Sequence, residues 1–158
     1  MKILVCTDGS EHSQKALEKA SILADGCNVD EVAIIYVYDH RHDTAFPIGS
    51  SYIPPGQIER QTERQMEIFK KMAEEHIKER KKILLDALKI FKGKNIKART
   101  IFKEGHPSHT IVNVAQEEGF DMIIIGSEGL SGLKKIFLGS VSNAVIQEAK
   151  NCSILVVK

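Results

Sequence analysis

Residues 120–142 read FDMIIIGSEGLSGLKKIFLGSVS and join an apolar run to a glycine-rich segment. The run at 120–125 is apolar apart from Asp121, which is typical of a parallel strand covered on both faces. Four of the eleven glycines follow it within 14 residues, at positions 126, 129, 132 and 139. A helix is predicted over 140–150. The stretch therefore predicts one strand, loop and helix unit of an α/β fold.

On either side of this unit, apolar runs alternate with amphipathic segments. Strands are predicted over 2–7, 31–38, 96–103 and 153–157. Helices are predicted from Ser13 to Gly26, along the charged segment before Gly93, and from Pro107 to Gly119. Residues 39–57 contain three prolines and little periodicity, which indicates a long loop. The alternation predicts an open, mostly parallel five-stranded α/β sheet in a single domain over 1–158.

The composition argues against several classes of function. Lys and Arg total 22 against 21 Asp and Glu, giving a formal charge of +1, whereas bulk electrostatic binding of nucleic acid needs a strongly basic domain. No apolar run is long enough for a secretory signal or a membrane span. The three cysteines, Cys6, Cys27 and Cys152, show no C-x-x-C spacing. We expect a cytoplasmic protein with no nucleic-acid or membrane partner.

The glycine-rich segment is the strongest chemical signal. Glycines allow backbone N–H groups to approach an anion closely, and a helix N-terminus adds unpaired donors, with Ser140 and Ser142 adding hydroxyls. No Gly-Lys-Ser/Thr follows, so the segment is not a Walker A loop, and its G-x-x-G-x-x-G spacing differs from the dinucleotide fingerprint. The pattern indicates a polyphosphate site. The alternative is a turn-rich surface loop in which Ser140 acts only as the helix N-cap.

Asp8 is the second signal, because it ends the first strand. In open parallel sheets, ligands bind outside the carboxyl ends of the strands where the winding direction reverses. A reversal beside the first strand would place Asp8 and Gly126 on one crevice, where the carboxylate could hold a ribose hydroxyl or a metal-bound water. The alternative is a structural Asp before a helix that Ser10 caps.

These motifs, in this order, resemble the universal stress protein family. Gly126-x-x-Gly129, nine residues and then Gly139-Ser140 match the family signature G-2x-G-9x-G-(S/T). Further matches are TDGS at 7–10, YV at 36–37, EGHP at 104–107, DMIIIG at 121–126 and ILVVK at 154–158. The resemblance covers the whole chain. It implies a Rossmann-like, adenine nucleotide alpha hydrolase-like sheet of order 3-2-1-4-5 with helices on both faces.

The resemblance also implies a function. It implies binding of ATP, or of AMP or ADP, with a divalent metal, Mg²⁺ or Mn²⁺, whose protein ligands are unknown. Asp8 would contact the ribose, Val37 would offer main-chain groups to adenine, and the glycine segment would cradle the phosphates. The implied site residues are Thr7, Asp8, Val37, Gly126, Gly129, Gly139, Ser140, Val141 and Ser142. It further implies a homodimer through the last strand and a nucleotide-responsive switch with at most slow hydrolysis and no catalytic residue.

Two positions depart from the family pattern. Glu128 stands where the family often has His, and Leu130 where it often has a basic residue. A carboxylate repels a triphosphate unless it points away or meets a metal, although Lys134 and Lys135 could compensate. The departures favour an alternative, a dimeric interaction module of the same fold that binds no nucleotide. An adenylyl-transfer enzyme is a third hypothesis, for which the TDGS turn is weakly compatible.

The histidines allow two further hypotheses. His40 and His42, between Asp39 and Asp43, are metal-competent groups in the predicted loop, without a distant set of ligands. His106 and His109 flank a helix start, where they could contact a nucleotide. The alternative, which we favour, is that both are ordinary polar residues of a turn.

Overall fold

A computed structural model describes residues 1–39, 58–94, 96–129 and 138–158. The strands are β1 (Lys2–Cys6), β2 (Glu31–Tyr38), β3 (Lys97–Glu104), β4 (Met122–Gly126) and β5 (Ser153–Val157). The helices are α1 (Glu11–Gly26), α2 (Ile58–Lys89), α3 (Pro107–Glu117) and α4 (Ser140–Glu148). Strands and helices alternate as the sequence predicts. Most of the predicted 39–57 loop, and residues 130–137 of the glycine-rich segment, lie outside the described residues.

The five strands form one parallel sheet in the order β3-β2-β1-β4-β5, which confirms the expected order. β1 lies at the centre, and the chain builds outward from it to β2 and β3 before it returns to β4 on the other side. The winding direction therefore reverses between β1 and β4. In open α/β sheets this reversal opens a crevice at the carboxyl ends of the two strands.

Helices cover both faces of the sheet. On one face, Ile3, Val5 and Ile34 pack with buried residues of α1 and α2 such as Leu17 and Leu84. On the other face, the alternate strand residues pack against α3 and α4; this core includes Leu4, Ile35, Ile123, Ile111 and Val145. β1 is almost wholly inaccessible to water because both of its faces are covered.

Local hydrogen bonds set the ends of the elements. α1 begins at Glu11 because the Ser10 hydroxyl accepts a hydrogen bond from Ser13 N at 3.3 Å, which confirms Ser10 as its N-cap. β4 begins at Met122, two residues later than predicted; Phe120 N donates to Ala115 O of α3 at 2.9 Å, and the Asp121 carboxylate accepts a hydrogen bond from Lys2 N at 2.6 Å. Ser140 is not the N-cap of α4: Gly139 is the cap and Ser140 is the first helical residue.

The sequence contains no candidate for a membrane span and no C-x-x-C pair of cysteines. Within the described ranges, no helix is both long and apolar enough to cross a membrane. The three cysteines are unpaired: Cys6 is buried, Cys152 is half-buried and Cys27 is exposed.

Candidate functional site

A crevice of about 550 Å³ opens at the carboxyl ends of β1, β2 and β4. The start of α4 and parts of α2 and α3 complete its walls. All nine site residues expected from the sequence line this one crevice: Thr7, Asp8, Val37, Gly126, Gly129, Gly139, Ser140, Val141 and Ser142. They come from distant parts of the chain, and the reversal of the sheet between β1 and β4 brings them together.

The TDGS segment forms a tight turn that places Asp8 at the crevice. The Asp8 Oδ1 atom accepts a hydrogen bond from Ser10 N at 2.9 Å. The buried Thr7 hydroxyl accepts one from Gly9 N at 3.3 Å and lies 3.2 Å from the Ser13 hydroxyl. Gly9 has a φ of +83°, which a residue with a side chain rarely adopts. The turn is thus held by its own side chains while the second Asp8 oxygen faces the crevice wall.

That second oxygen faces Gly129. A Cβ atom at position 129 would lie 2.7 Å from Asp8 Oδ2, closer than real Cβ atoms come to another heavy atom. The two residues are far apart in sequence, and they meet because β4 pairs with β1. A side chain at position 129 would displace the Asp8 carboxylate, so this glycine preserves the position of the acid.

Gly126 has a packing role in addition to the one that its place in the signature predicts. A Cβ atom there would lie 2.8 Å from the backbone carbonyl carbon of His12. The absence of a side chain thus lets the first turn of α1 pack directly on the end of β4. Sequence reasoning assigned this glycine to the anion site alone, because nothing local in the sequence shows that α1 crosses β4 here.

The N-terminus of α4 supplies backbone donors to the crevice. The first four N–H groups of a helix have no acceptor within the helix, and the helix dipole makes this end electropositive. Gly139 N donates to Ser127 O at 2.8 Å, and Ser127 N donates to Val157 O at 2.7 Å, so the cap is tied to the end of β5. This arrangement suits an anion.

Ser142 is buried, and its hydroxyl donates to Gly126 O at 2.7 Å. Its single hydroxyl hydrogen is therefore directed at the end of β4 rather than at a ligand. The residue connects α4 to β4, and the anion-binding capacity of this helix end rests on its N–H groups and on Ser140.

The charged residues of the crevice are mostly acidic. Among the described residues that line it, Asp8, Asp39 and Glu128 are carboxylates and Arg80 is the one cation. Arg80 lies on α2, and its guanidinium carbon is 5.5 Å from the ring centroid of Tyr38. Sequence reasoning missed Arg80 because nothing distinguishes it from the other charges of α2; only the packing of α2 on β2 reveals it.

Cys6 also lines the crevice, directly below the TDGS turn. Burial raises the pKa of its thiol far above the ordinary range, and the nearby Asp8 carboxylate raises the pKa further. The thiol therefore stays protonated at neutral pH, and the thiol form is a poor nucleophile. Cys6 acts here as a small buried side chain.

The two histidines at the start of α3 do not line the crevice, although Pro107 and Ile111 of the same helix do. His106 Nδ1 lies 3.1 Å from the Ser108 hydroxyl. His109 Nδ1 lies 2.8 Å from Glu148 Oε2 of α4. These contacts favour the interpretation as polar turn residues. His40, His42, Asp43, Leu130, Gly132, Lys134 and Lys135 lie outside the described residues.

Known proteins resemble this chain along nearly its whole length. A model of the universal stress protein family matches residues 1–158. Universal stress protein YxiE of Bacillus subtilis is 37% identical over 158 residues, which are 99% of this chain and 98% of the relative. Universal stress protein MJ0577 of Methanocaldococcus jannaschii is 33% identical over 158 residues, with 99% of this chain and 94% of the relative covered.

Solved structures share the fold. The structure of MJ0577 matches with a TM-score of 0.67 at 32% identity, over 99% of this chain and 94% of that one. A universal stress protein of Archaeoglobus fulgidus in complex with dAMP matches with a TM-score of 0.63 at 22% identity, over 100% of this chain and 98% of that one. Because the family model spans all 158 residues and relatives above 30% identity align along nearly their whole length, the chain belongs to the universal stress protein family.

Proposed function

We propose that the chain binds ATP, or another adenosine nucleotide such as AMP or ADP, in the crevice between the ends of β1 and β4. It acts as a nucleotide-responsive switch with at most slow hydrolysis. The observation that carries this proposal is the close approach of the Asp8 carboxylate to Gly129 beside the N-terminus of α4. A carboxylate suited to ribose hydroxyls there adjoins a helix end suited to phosphates.

The order of the strands supports an orientation for the nucleotide. The ends of β2, β1 and β4 follow one another across the sheet, and neighbouring strands are about 4.8 Å apart. In the proposed orientation the base lies against the main chain of Val37, the ribose beside Asp8, and the phosphates near Gly129 and the N-terminus of α4. The dAMP bound by the Archaeoglobus fulgidus protein supports an adenine nucleotide as the ligand class.

A divalent cation, Mg²⁺ or Mn²⁺, accompanies the phosphates in this proposal. Three carboxylates against one guanidinium line the crevice within the described part of the chain, which disfavours a bare polyphosphate. No group of three His, Cys, Asp or Glu that could hold a metal occurs among the described residues. The phosphates would thus supply most of the ligands, with Asp8 and Glu128 as nearby acids, and the cation would neutralise phosphate charge.

The same acidic lining favours a second candidate function. A dimeric interaction module of this fold that binds no nucleotide would tolerate Glu128 at the crevice without a compensating metal. Recovery of the purified protein free of nucleotide, together with no heat on titration with Mg-ATP, would favour this candidate.

The proposal includes a homodimer joined through β5, a single domain over 1–158 and a cytoplasmic location. Half-buried apolar residues along β5, an edge strand of the described sheet, support the dimer. The span of the family model supports the single domain. Three unpaired cysteines are consistent with a reducing compartment.

The test is isothermal titration of nucleotide-stripped protein with Mg-ATP, after mass identification of any nucleotide that co-purifies. We expect binding by the wild-type chain and at least a tenfold loss in Asp8→Ala and in Gly129→Val. Gly26→Ala is the matched control, because a Cβ atom at Gly26 meets nothing within 4 Å. If titration of the wild-type protein with millimolar ATP gives no heat of binding, the proposal is wrong.

A further inference from the structure

We infer that Arg80 of α2 is a ligand-binding residue of the crevice, which contacts the nucleoside part of the ligand rather than its phosphates. The inference rests on the nucleotide-binding function proposed above. It adds a contact from a helix that contributes none of the nine site residues expected from the sequence.

The position of Arg80 assigns it to the nucleoside end. Its guanidinium carbon lies 5.5 Å from the ring centroid of Tyr38, which follows Val37 on β2. The anion-binding end of the crevice is formed by β4 and α4, and β1 lies between β2 and β4. Two strand spacings, roughly 10 Å, therefore separate the strand beneath Arg80 from the strand that leads to the phosphates.

The packing of α2 fixes where Arg80 stands. Tyr38 and Tyr36 are buried, and both stack on Phe102 of β3. The distance from the Phe102 ring centroid is 6.5 Å for Tyr38 and 5.9 Å for Tyr36. Arg80 Nη1 also donates to His76 O, one turn earlier on α2, at 3.4 Å. The guanidinium thus lies over a buried, stacked aromatic layer and also lines the crevice.

The chemistry of a guanidinium suits a nucleoside. Its flat face stacks on nucleobases as it does on tyrosine rings, and its N–H groups donate to ribose oxygens and ring nitrogens. The other charged side chains that line the crevice in the described ranges are carboxylates, which accept hydrogen bonds only. Arg80 therefore complements Asp8: one group donates to the nucleoside and the other accepts from it.

Lys81 offers a matched control. It is the next residue on α2, and its ammonium nitrogen lies 5.7 Å from the ring centroid of Phe102 in the same aromatic layer. Lys81 is not among the residues that line the crevice. Loss of a cation above the aromatic layer can thus be separated from loss of a cation inside the crevice.

The experiment titrates Arg80→Ala, Arg80→Lys and Lys81→Ala with ATP, AMP and adenosine, and compares each with wild-type protein. We expect Arg80→Ala to weaken binding of all three ligands by about the same factor, roughly tenfold, because they share the nucleoside. Arg80→Lys should recover only part of the loss, since an ammonium lacks the planar face. Lys81→Ala should bind as wild type does.

The outcomes separate this inference from the proposed function. A loss that grows from adenosine to ATP, or wild-type affinity in Arg80→Ala, overturns the inference while nucleotide binding stands. Failure of wild-type protein to bind any of the three ligands overturns the proposed function and the inference with it. Thermal unfolding of the ligand-free variants shows whether a substitution impairs folding. If Arg80→Ala does, Arg80→Lys, which keeps the long cationic side chain, is used instead: a similar loss for all three ligands supports the inference, and wild-type affinity overturns it.

Discussion

Asp8 and Glu128 both line the crevice, and one oxygen of the Asp8 carboxylate faces the narrow space that Gly129 leaves open. The Asp8 carboxylate is held by the turn that it closes, through Ser10 N. Glu128 follows β4 and lines the same crevice. A polyphosphate in the crevice would therefore approach two negative charges, and its binding should depend on the cations that accompany it.

Glu128→Gln tests this balance of charge, because it removes one negative charge and keeps the size of the side chain. We expect the affinity for metal-free ATP to rise about fivefold, roughly 1 kcal/mol, and the affinity for Mg-ATP to change less. Titrations in EDTA and in excess Mg²⁺, at low ionic strength, measure the difference. Glu11→Gln is the control, since that exposed carboxylate pairs with Lys15 and lies outside the crevice lining. Unchanged metal-free affinity in Glu128→Gln would contradict the expectation.

At the level of single residues, the sequence predicts the site where the chain order carries the chemistry. Asp8 after a strand and Gly129 in a spaced motif both line the crevice as expected. The contribution of Arg80 and the packing role of Gly126 could not be predicted. Both depend on how helices cross strands, and a sequence shows which face of a helix is apolar but not which residue of a strand that face meets.

Among the elements, α1 packs tightly on β4 at Gly126, where the backbone of His12 occupies the space that a side chain would need. Gly126→Ala should therefore push α1 away from the sheet. We expect a loss of about 1–3 kcal/mol in the free energy of unfolding, measured by urea denaturation. Gly26→Ala again serves as control, because its Cβ atom enters open space. A variant as stable as wild type would show that α1 can move aside without loss of packing.

The elements also show why some boundaries are predictable. The bounds of β2 and β5 agree with the sequence prediction. After its first residue, β2 consists of aliphatic and aromatic residues and β5 of aliphatic residues alone, which favour strands. The start of β4 is not predictable from hydrophobicity: Phe120 is buried as an apolar residue should be, yet it precedes the strand. Hydrogen bonds outside the sheet, such as the one from Phe120 N to Ala115 O of α3, are not visible in the hydrophobic pattern.

At the scale of the whole molecule, an ion-pair network joins β2, β3 and α3 near the amino ends of the strands, away from the crevice. Arg99 Nε donates to Glu31 Oε1 at 2.5 Å, and Arg99 Nη2 donates to Glu118 Oε2. The hydrogen bond from Arg99 lowers the pKa of Glu31, whereas partial burial acts in the opposite direction. The hydrogen bond between Arg99 and Glu31 is also the largest cause of the raised pKa of Arg99.

Because the folded-state pKa of Glu31 is lowered, its contribution to stability is present above the unfolded pKa of about 4.3 and is lost as the pH falls through the folded value. Glu31→Gln should reduce the free energy of unfolding at pH 7 by about 1 kcal/mol, and the difference from wild type should shrink in acid. Urea denaturation at pH 7, 5 and 3.5 measures it. Asp86→Asn, which breaks an exposed pair with Lys89, should change stability less. A difference independent of pH would contradict the ionic explanation.

The proposed dimer can be tested through the backbone of β5. Ser153 N donates to Asp121 O, and Val157 O accepts from Ser127 N, so these residues point toward β4. By alternation, the N–H groups of Ile154 and Val156 point toward the open edge. Val156→Pro removes one outward donor without breaking a bond to β4, and it should convert a dimer into a monomer in sedimentation experiments. Val156→Ala keeps the N–H and should remain dimeric; a dimeric Val156→Pro would place the interface elsewhere.

The two edges of the sheet differ in character. β5 presents an aliphatic edge, whereas β3 carries Lys97, Arg99, Lys103 and Glu104 along its length. Charged side chains on an edge strand oppose pairing with another chain. Two copies joined through β5 about a two-fold axis would pair the aliphatic β5 edge of each copy with that of the other. Only the charged β3 edges would then remain exposed. Assembly through β5 would therefore be self-limiting, because the β3 edges that such a pair leaves outside carry the charges that oppose growth of a fibre.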